Sequence, residues 1–221
     1  MRILTFIHYF FYLALNWNFR IAIHILVQEI KGEKKYGIKT IGVDNLRNSE
    51  VDFSNATIYM PASYDLLEEI FTILHANEKN HFLDIGCGKG RALCVASNYG
   101  YKKNTGIDFS KKLCDAAIEN TKIFKNKKRP DATFEIINID AVDYIIPADV
   151  DCIFMFNPFN ELVMKRVVEN IVKNISQYKR ELYIVYANPL FKNLFIKKAF
   201  TEIYYSKRLK YLEVSILKAN T

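Results

Sequence analysis

The residues most able to do chemistry lie in one run, Phe82-Leu83-Asp84-Ile85-Gly86-Cys87-Gly88-Lys89-Gly90. An apolar strand-like stretch ends in an acid, and alternating glycines follow. Glycines at that spacing let the chain turn tightly and let a ligand approach the backbone. The spacing is G-x-G-x-G with Arg91 next. The dinucleotide fingerprint is G-x-G-x-x-G, so this run departs from it. A second acid, Asp108, closes the run Gly106-Ile107-Asp108-Phe109-Ser110. A carboxylate at the end of the second strand is placed to accept hydrogen bonds from ribose hydroxyls, and it repels a 2′-phosphate. Further along stand Asn138-Ile139-Asp140-Ala141 and Asn157-Pro158-Phe159. A second Asn-Pro pair, Asn188-Pro189, reads as a simple turn.

The elements that must position these residues follow from periodicity. Short apolar runs predict strands near 81–85, 104–108, 133–139, 150–156 and 182–187. Helical patterns fall near 90–99, 110–126, 160–174 and 189–199. Ser63 is placed to cap a further helix over 64–75, whose apolar face includes Leu66, Leu67, Ile70, Phe71 and Leu74. Strand and helix in alternation predict an α/β fold, with a parallel sheet covered on both faces. The end of the chain differs: TEIYYSKR and LKYLEVSILK are strand-like runs joined by a short basic turn. They predict an antiparallel hairpin at the sheet edge.

On these residues the chain resembles the class I S-adenosylmethionine-dependent methyltransferases. DIGCGKG matches the family's first motif and GIDFS its second, while Asn138–Ala141 and Asn157–Phe159 are similar to the third and fourth. The resemblance covers roughly residues 60–217. It implies a doubly wound, seven-stranded, mostly parallel sheet of order 3-2-1-4-5-7-6 with the last strand antiparallel. It implies S-adenosyl-L-methionine as cofactor and no metal.

The resemblance also implies roles. Asp84 and the backbone from Gly86 through Cys87 and Gly88 to Gly90 would hold the methionine moiety. Asp108 would bind the ribose, with Phe109 beside the adenine. Asp140 and the Ala141 amide would address the adenine edge, and Tyr64 would help cover the cofactor. Asn157, Pro158 and Phe159 resemble the Asn/Asp-Pro-Pro-Tyr/Phe motif of amino-group methyltransferases with one proline missing. They are the expected catalytic residues, and they favour an amine acceptor, with a looser likeness to protein lysine methyltransferases. RNA or DNA, a small molecule, and a non-catalytic cofactor-binding module are the alternatives.

The remainder of the sequence sets limits. The 221 residues divide into an N-terminal part, 1–58, and a candidate catalytic domain, 59–221. The residues 3–15, ILTFIHYFFYLAL, are strongly apolar, and IAIHILV follows at 21–27. Read as one helix, the segment carries a polar stripe of His8, Tyr12, Asn16, Arg20, His24 and Gln28. Such a helix is expected to be buried over most of its circumference. Three settings suit it: packing on the domain or a dimer partner, lying in a membrane interface, or spanning. From Lys31 to about Asn55 an irregular connector is expected.

Cys87, Cys94, Cys114 and Cys152 form neither a zinc pattern nor a disulfide framework. They suit a reducing, cytoplasmic compartment. Lys and Arg number 31 against 24 Asp and Glu, a net charge of +7. That balance admits an anionic partner such as nucleic acid, but the plainer reading is a lysine-rich solvated surface. The basic run 122–129 is not interleaved with aromatics as stacking platforms are.

Overall fold

The computed structural model describes residues 2–16, 19–42, 59–74, 81–208 and 212–220. Five parallel strands come first: β1 (His81–Ile85), β2 (Lys103–Asp108), β3 (Thr133–Asn138), β4 (Cys152–Phe156) and β5 (Tyr183–Ala187). A closing hairpin of β6 (Phe200–Arg208) and β7 (Leu212–Ala219) pairs with itself and with β5 in antiparallel fashion. The order is β3-β2-β1-β4-β5-β7-β6. The doubly wound expectation and the terminal hairpin both hold.

Seven helices are described: α1 (Arg2–Asn16), α2 (Phe19–Tyr36), α3 (Tyr64–Leu74), α4 (Arg91–Asn98), α5 (Lys111–Lys128), α6 (Glu161–Gln177) and α7 (Asn193–Ile196). The two faces of the sheet are separated by the strand period of two. Phe82 and Phe154 turn to the core with α3, α4 and α5. Leu83, Ile85, Ile153 and Met155 turn to the core with α6 and α7. Asp84 therefore shares a face with Phe82 and emerges at the carboxyl end of β1, beside the start of α4. Ser110 caps α5, its hydroxyl accepting from the Leu113 amide at 3.4 Å. Asn160 caps α6 in the same way at 3.1 Å.

Four expectations change. The N-terminal segment forms two helices rather than one rod. α1 and α2 fold back on each other and bury Tyr9, Leu13, Ala22 and Ile25 with Ile41. A single rod would have left those side chains without partners. The pair is also not buried over most of its circumference, because a row of large apolar residues from Leu4 to Ile30 stays exposed. The connector begins later than expected, since α2 continues to Tyr36 before Gly37 ends it at φ +71°. The expected connector over 43–55 lies outside the described residues. The helix expected over 189–199 shrinks to the single turn α7. Asn188 enters the left-handed region at φ +48° and Pro189 follows it, so the chain turns before it coils.

The N-terminal helices are tied to the sheet by buried polar contacts. Glu29 of α2 and Arg91, the first residue of α4, are 2 % and 3 % exposed. The Arg91 guanidinium donates twice to the Glu29 carboxylate, to the Thr40 hydroxyl at 2.8 Å and to the Ala62 carbonyl at 2.9 Å. Glu33 accepts from the Thr40 and Ile41 amides at 2.6 and 2.8 Å. Burial alone would pull the Arg91 pKa down, but the Glu29 carboxylate holds it above its usual value.

Candidate functional site

The loop after β1 carries three glycines in the left-handed region: Gly86 at φ +80°, Gly88 at +53° and Gly90 at +80°. Side chains at these positions would be strained, and two would also collide. A Cβ on Gly86 would lie 2.9 Å from the Pro158 ring, and one on Gly88 would lie 2.3 Å from the Tyr59 ring. The loop is pinned by the Gly86 and Cys87 amides, which both donate to the Ile107 carbonyl at 2.9 Å.

Asp108 ties the second strand to this loop. One carboxylate oxygen accepts from the Gly88 amide and the other from the Ser110 amide, each at 2.9 Å. Each oxygen keeps a lone pair for a further donor. Burial raises the Asp108 pKa, and the two amides pull it back in part. Asp84 is different: no donor among the described residues reaches its carboxylate. Burial, and then the neighbouring Asp108 charge, push its pKa well above the ordinary carboxylate range. A buried carboxylate facing a cavity, with no partner among the described residues, favours a cationic group there.

A cavity of about 390 Å³ opens at the carboxyl ends of β1, β2 and β4. Open α/β sheets bind ligands there, and the volume lies within the roughly 300–1,000 Å³ typical of small-molecule sites. The structure brings Asp84, Gly86, Cys87, Asp108, Phe109, Asp140, Ala141, Pro158 and Phe159 to its wall. The Cys87 thiol is pushed well up, by burial and then by the Asp84 and Asp108 charges, so it is no thiolate nucleophile. Asp140 closes its own turn by accepting from the Val142 amide at 2.9 Å.

Four expected site residues lie off the wall. Gly88 is covered by Tyr59, and Gly90 packs toward Ala117 of α5. Asn157, at φ +36°, is buried, and its Oδ1 accepts from the Tyr186 hydroxyl at 3.1 Å. Tyr64 sits a layer behind. Its ring stacks on Tyr36 at 5.4 Å and lies 4.1 Å from the Arg91 guanidinium, and its hydroxyl meets Thr40 at 3.2 Å. Burial first of all pushes its pKa up to about 12. The expected cover over the cavity is supplied instead by the strap Tyr59-Met60-Pro61-Ala62.

Sequence reasoning also missed Arg91, Phe156, Leu162 and Arg166, all on the wall. For Arg91 there was a signal. A cation in the first turn of a helix opposes the macrodipole unless something nearby neutralises it. Its partner, Glu29, lies 62 residues upstream and could not be found by spacing.

Residues 82–180 match the family model described as a methyltransferase domain. No curated protein matches the chain. Among solved structures, it is similar to the PH0226 protein of Pyrococcus horikoshii, at 16% identity and TM-score 0.54. That match covers 71% of this chain and 89% of the other. An RNA methyltransferase of Salinibacter ruber, solved with S-adenosyl-L-homocysteine, shares 13% identity at TM-score 0.53, over 72% and 92% of the two chains. The ribosomal protein L11 methylase of Lactobacillus delbrueckii subsp. bulgaricus shares 14% identity at TM-score 0.52, over 70% and 78%. These likenesses concern the fold. Taken with the motif order and the 3-2-1-4-5-7-6 sheet, the family match identifies residues 82–180 as a methyltransferase domain, set in the fold of the class I S-adenosylmethionine-dependent methyltransferases.

Proposed function

We propose that the methyl group passes to an amine nitrogen, with a protein lysine first among acceptors. The observation that carries this reading is the apolar share of the cavity wall. Phe154, Phe156, Pro158, Phe159, Leu162 and Val163 belong to it with Arg166, and the acids of the described wall, Asp84, Asp108 and Asp140, are those this reading gives to the cofactor. Arginine stays protonated and is no base. A hydroxyl acceptor needs a base to take its proton. An amine needs only its lone pair, and removal from water lowers its pKa toward the neutral form. Aromatic faces then favour the positive charge that develops on nitrogen. A lysine reaches such a site on four methylenes, which an apolar wall packs well.

The wall fits S-adenosylmethionine on the Asp84 carboxylate, which has no donor among the described residues, and on the glycine loop that side chains would obstruct. The sulfonium and ammonium groups of that cofactor make it a cation suited to a wall of three acids. In this reading Asp84 and the Gly86–Gly90 backbone hold the methionine moiety, and Asp108 holds the ribose. Phe109 packs beside the adenine, whose edge meets Asp140 and the Ala141 amide. When bound, S-adenosylmethionine supplies an electrophilic methyl that a nucleophile displaces in line. The chain contributes alignment and exclusion of water, which account for most of the acceleration available to such a step.

Asn157 takes a narrower part than the amino-group motif implies. Its oxygen already serves Tyr186, so it positions Pro158 and Phe159 from behind. Asn157→Ala is therefore expected to lower kcat by about 10- to 100-fold, the scale of a misplacement of about 1 Å. Its affinity for the cofactor product should stay within about twofold, by calorimetry. Equal losses in both would give Asn157 a purely structural role.

Two neighbours of the same fold are described as acting on RNA and on a ribosomal protein, so the fold does not choose the acceptor. The test is incubation of the purified chain with methyl-labelled cofactor and a cell lysate. A labelled protein band whose label survives alkali is expected. Label confined to RNA or to small molecules would overturn the reading.

A further inference from the structure

We infer that the α1–α2 pair is a docking surface for an anionic lipid bilayer, lying in its interface. Eight large apolar side chains are exposed on the pair: Leu4, Ile7, Phe11 and Leu15 on α1, and Phe19, Ile23, Val27 and Ile30 on α2. Their spacing of three or four keeps each set on one side of its helix. The opposite sides, with Tyr9, Leu13, Ala22 and Ile25, are already spent on the internal contact between the helices. The exposed row is thus surplus to the fold, and a surface of that kind marks an interaction site.

The charges around the row identify the occupant. Residues 1–28 contain no Asp or Glu. The two acids of α2, Glu29 and Glu33, are buried and occupied by Arg91 and by the Thr40 and Ile41 amides. What remains exposed beside the apolar row on α2 is Arg20, Lys31 and Lys34, with His24 between them. An apolar stripe flanked by cations and free of acids is the pattern of a helix held at a negatively charged membrane surface. Pairing with a second copy is disfavoured by the same charges. A two-fold contact sets a surface against itself, so each copy would bring the same cations to the other. Spanning is excluded for the described residues, because no helix is long and apolar enough to cross a membrane.

The pair also adjoins the catalytic cavity. A small cleft lined by Tyr9 and His24 shares Met60, Pro61 and Phe156 with that cavity. Docking would bring the mouth of the site close to the bilayer.

The test is co-sedimentation of the full chain with vesicles of phosphatidylcholine alone or with phosphatidylglycerol added. Binding to the anionic vesicles is expected to be at least about tenfold tighter, and to weaken with salt. Phe11→Glu with Ile23→Glu is expected to weaken binding to both kinds of vesicle by at least about tenfold. Arg20→Glu with Lys31→Glu is expected to remove the preference for anionic vesicles. Circular dichroism and binding of S-adenosylhomocysteine serve as fold controls for the variants. Failure of the wild-type chain to sediment with anionic vesicles would overturn the inference. So would a vesicle-free dimer, seen by sedimentation velocity, that Phe11→Glu with Ile23→Glu breaks apart.

Discussion

Asp84→Asn is expected to raise the melting temperature of the ligand-free protein at neutral pH and to abolish the rise that S-adenosylhomocysteine produces. The two effects share one cause. The Asp84 carboxyl is buried beside Asp108 with no donor among the described residues, and its pKa is raised well above the unfolded value. The sign follows by linkage. A carboxyl whose folded pKa lies above its unfolded pKa takes up protons on folding. Its contribution to stability is full below the unfolded pKa, about 4, and is lost as pH rises through the folded value. At any pH above the unfolded value, neutral pH included, the folded carboxyl must either hold a proton or carry a buried charge, and the isosteric amide removes that cost.

The same carboxyl is what the ammonium group of S-adenosylhomocysteine pairs with in this reading. Charged hydrogen bonds contribute about 1.5–3 kcal/mol each. Loss of one or two of them weakens binding by roughly 10- to 10⁴-fold. Thermal melts with and without ligand, across pH, check both halves. The wild-type melting temperature should fall as pH rises through the Asp84 transition, and that step should vanish in the variant. A variant that is less stable and still binds would contradict the assignment of Asp84.

The second large effect lies at the Glu29–Arg91 pair. Glu29→Ala is expected to destabilise the chain by about 3–5 kcal/mol, the usual result of leaving one partner of a buried pair unmatched. The stranded Arg91 begins α4 immediately after the glycine loop and lines the cavity. Ligand affinity is therefore expected to fall together with stability. The double variant Glu29→Met with Arg91→Met should recover most of the stability, because apolar replacements of both partners are often neutral or better. Denaturant titration of both single variants and the double variant measures the coupling. Additive losses would mean that the pair does not fasten the N-terminal helices to the site.

The difference between these two sites shows what a sequence can convey. Asp84, Gly86 and Asp108 were readable because their neighbours in sequence are also their neighbours in space. The loop, its strand and the next strand end occupy one short stretch. The β6–β7 hairpin was readable for the same reason. Glu29 with Arg91, and Tyr59 with Gly88, were not, since partners far apart in sequence leave no periodicity. Asn157 shows a further limit. The Asn-Pro-Phe run pointed to the correct corner of the sheet. The hydroxyl of Tyr186, on the neighbouring strand, decides where the Asn157 oxygen is spent. The N-terminal apolar run announced helix but not its fold-back, because a continuous helical stripe and two helices in contact share one pattern.

Calorimetric titration of the full chain with S-adenosylhomocysteine tests most directly whether a cofactor is held between Asp84 and Asp108. One site per chain is expected, with heat that disappears in Asp84→Asn and in Gly86→Val. The absence of heat and of any melting shift for the wild-type chain at millimolar ligand would contradict it.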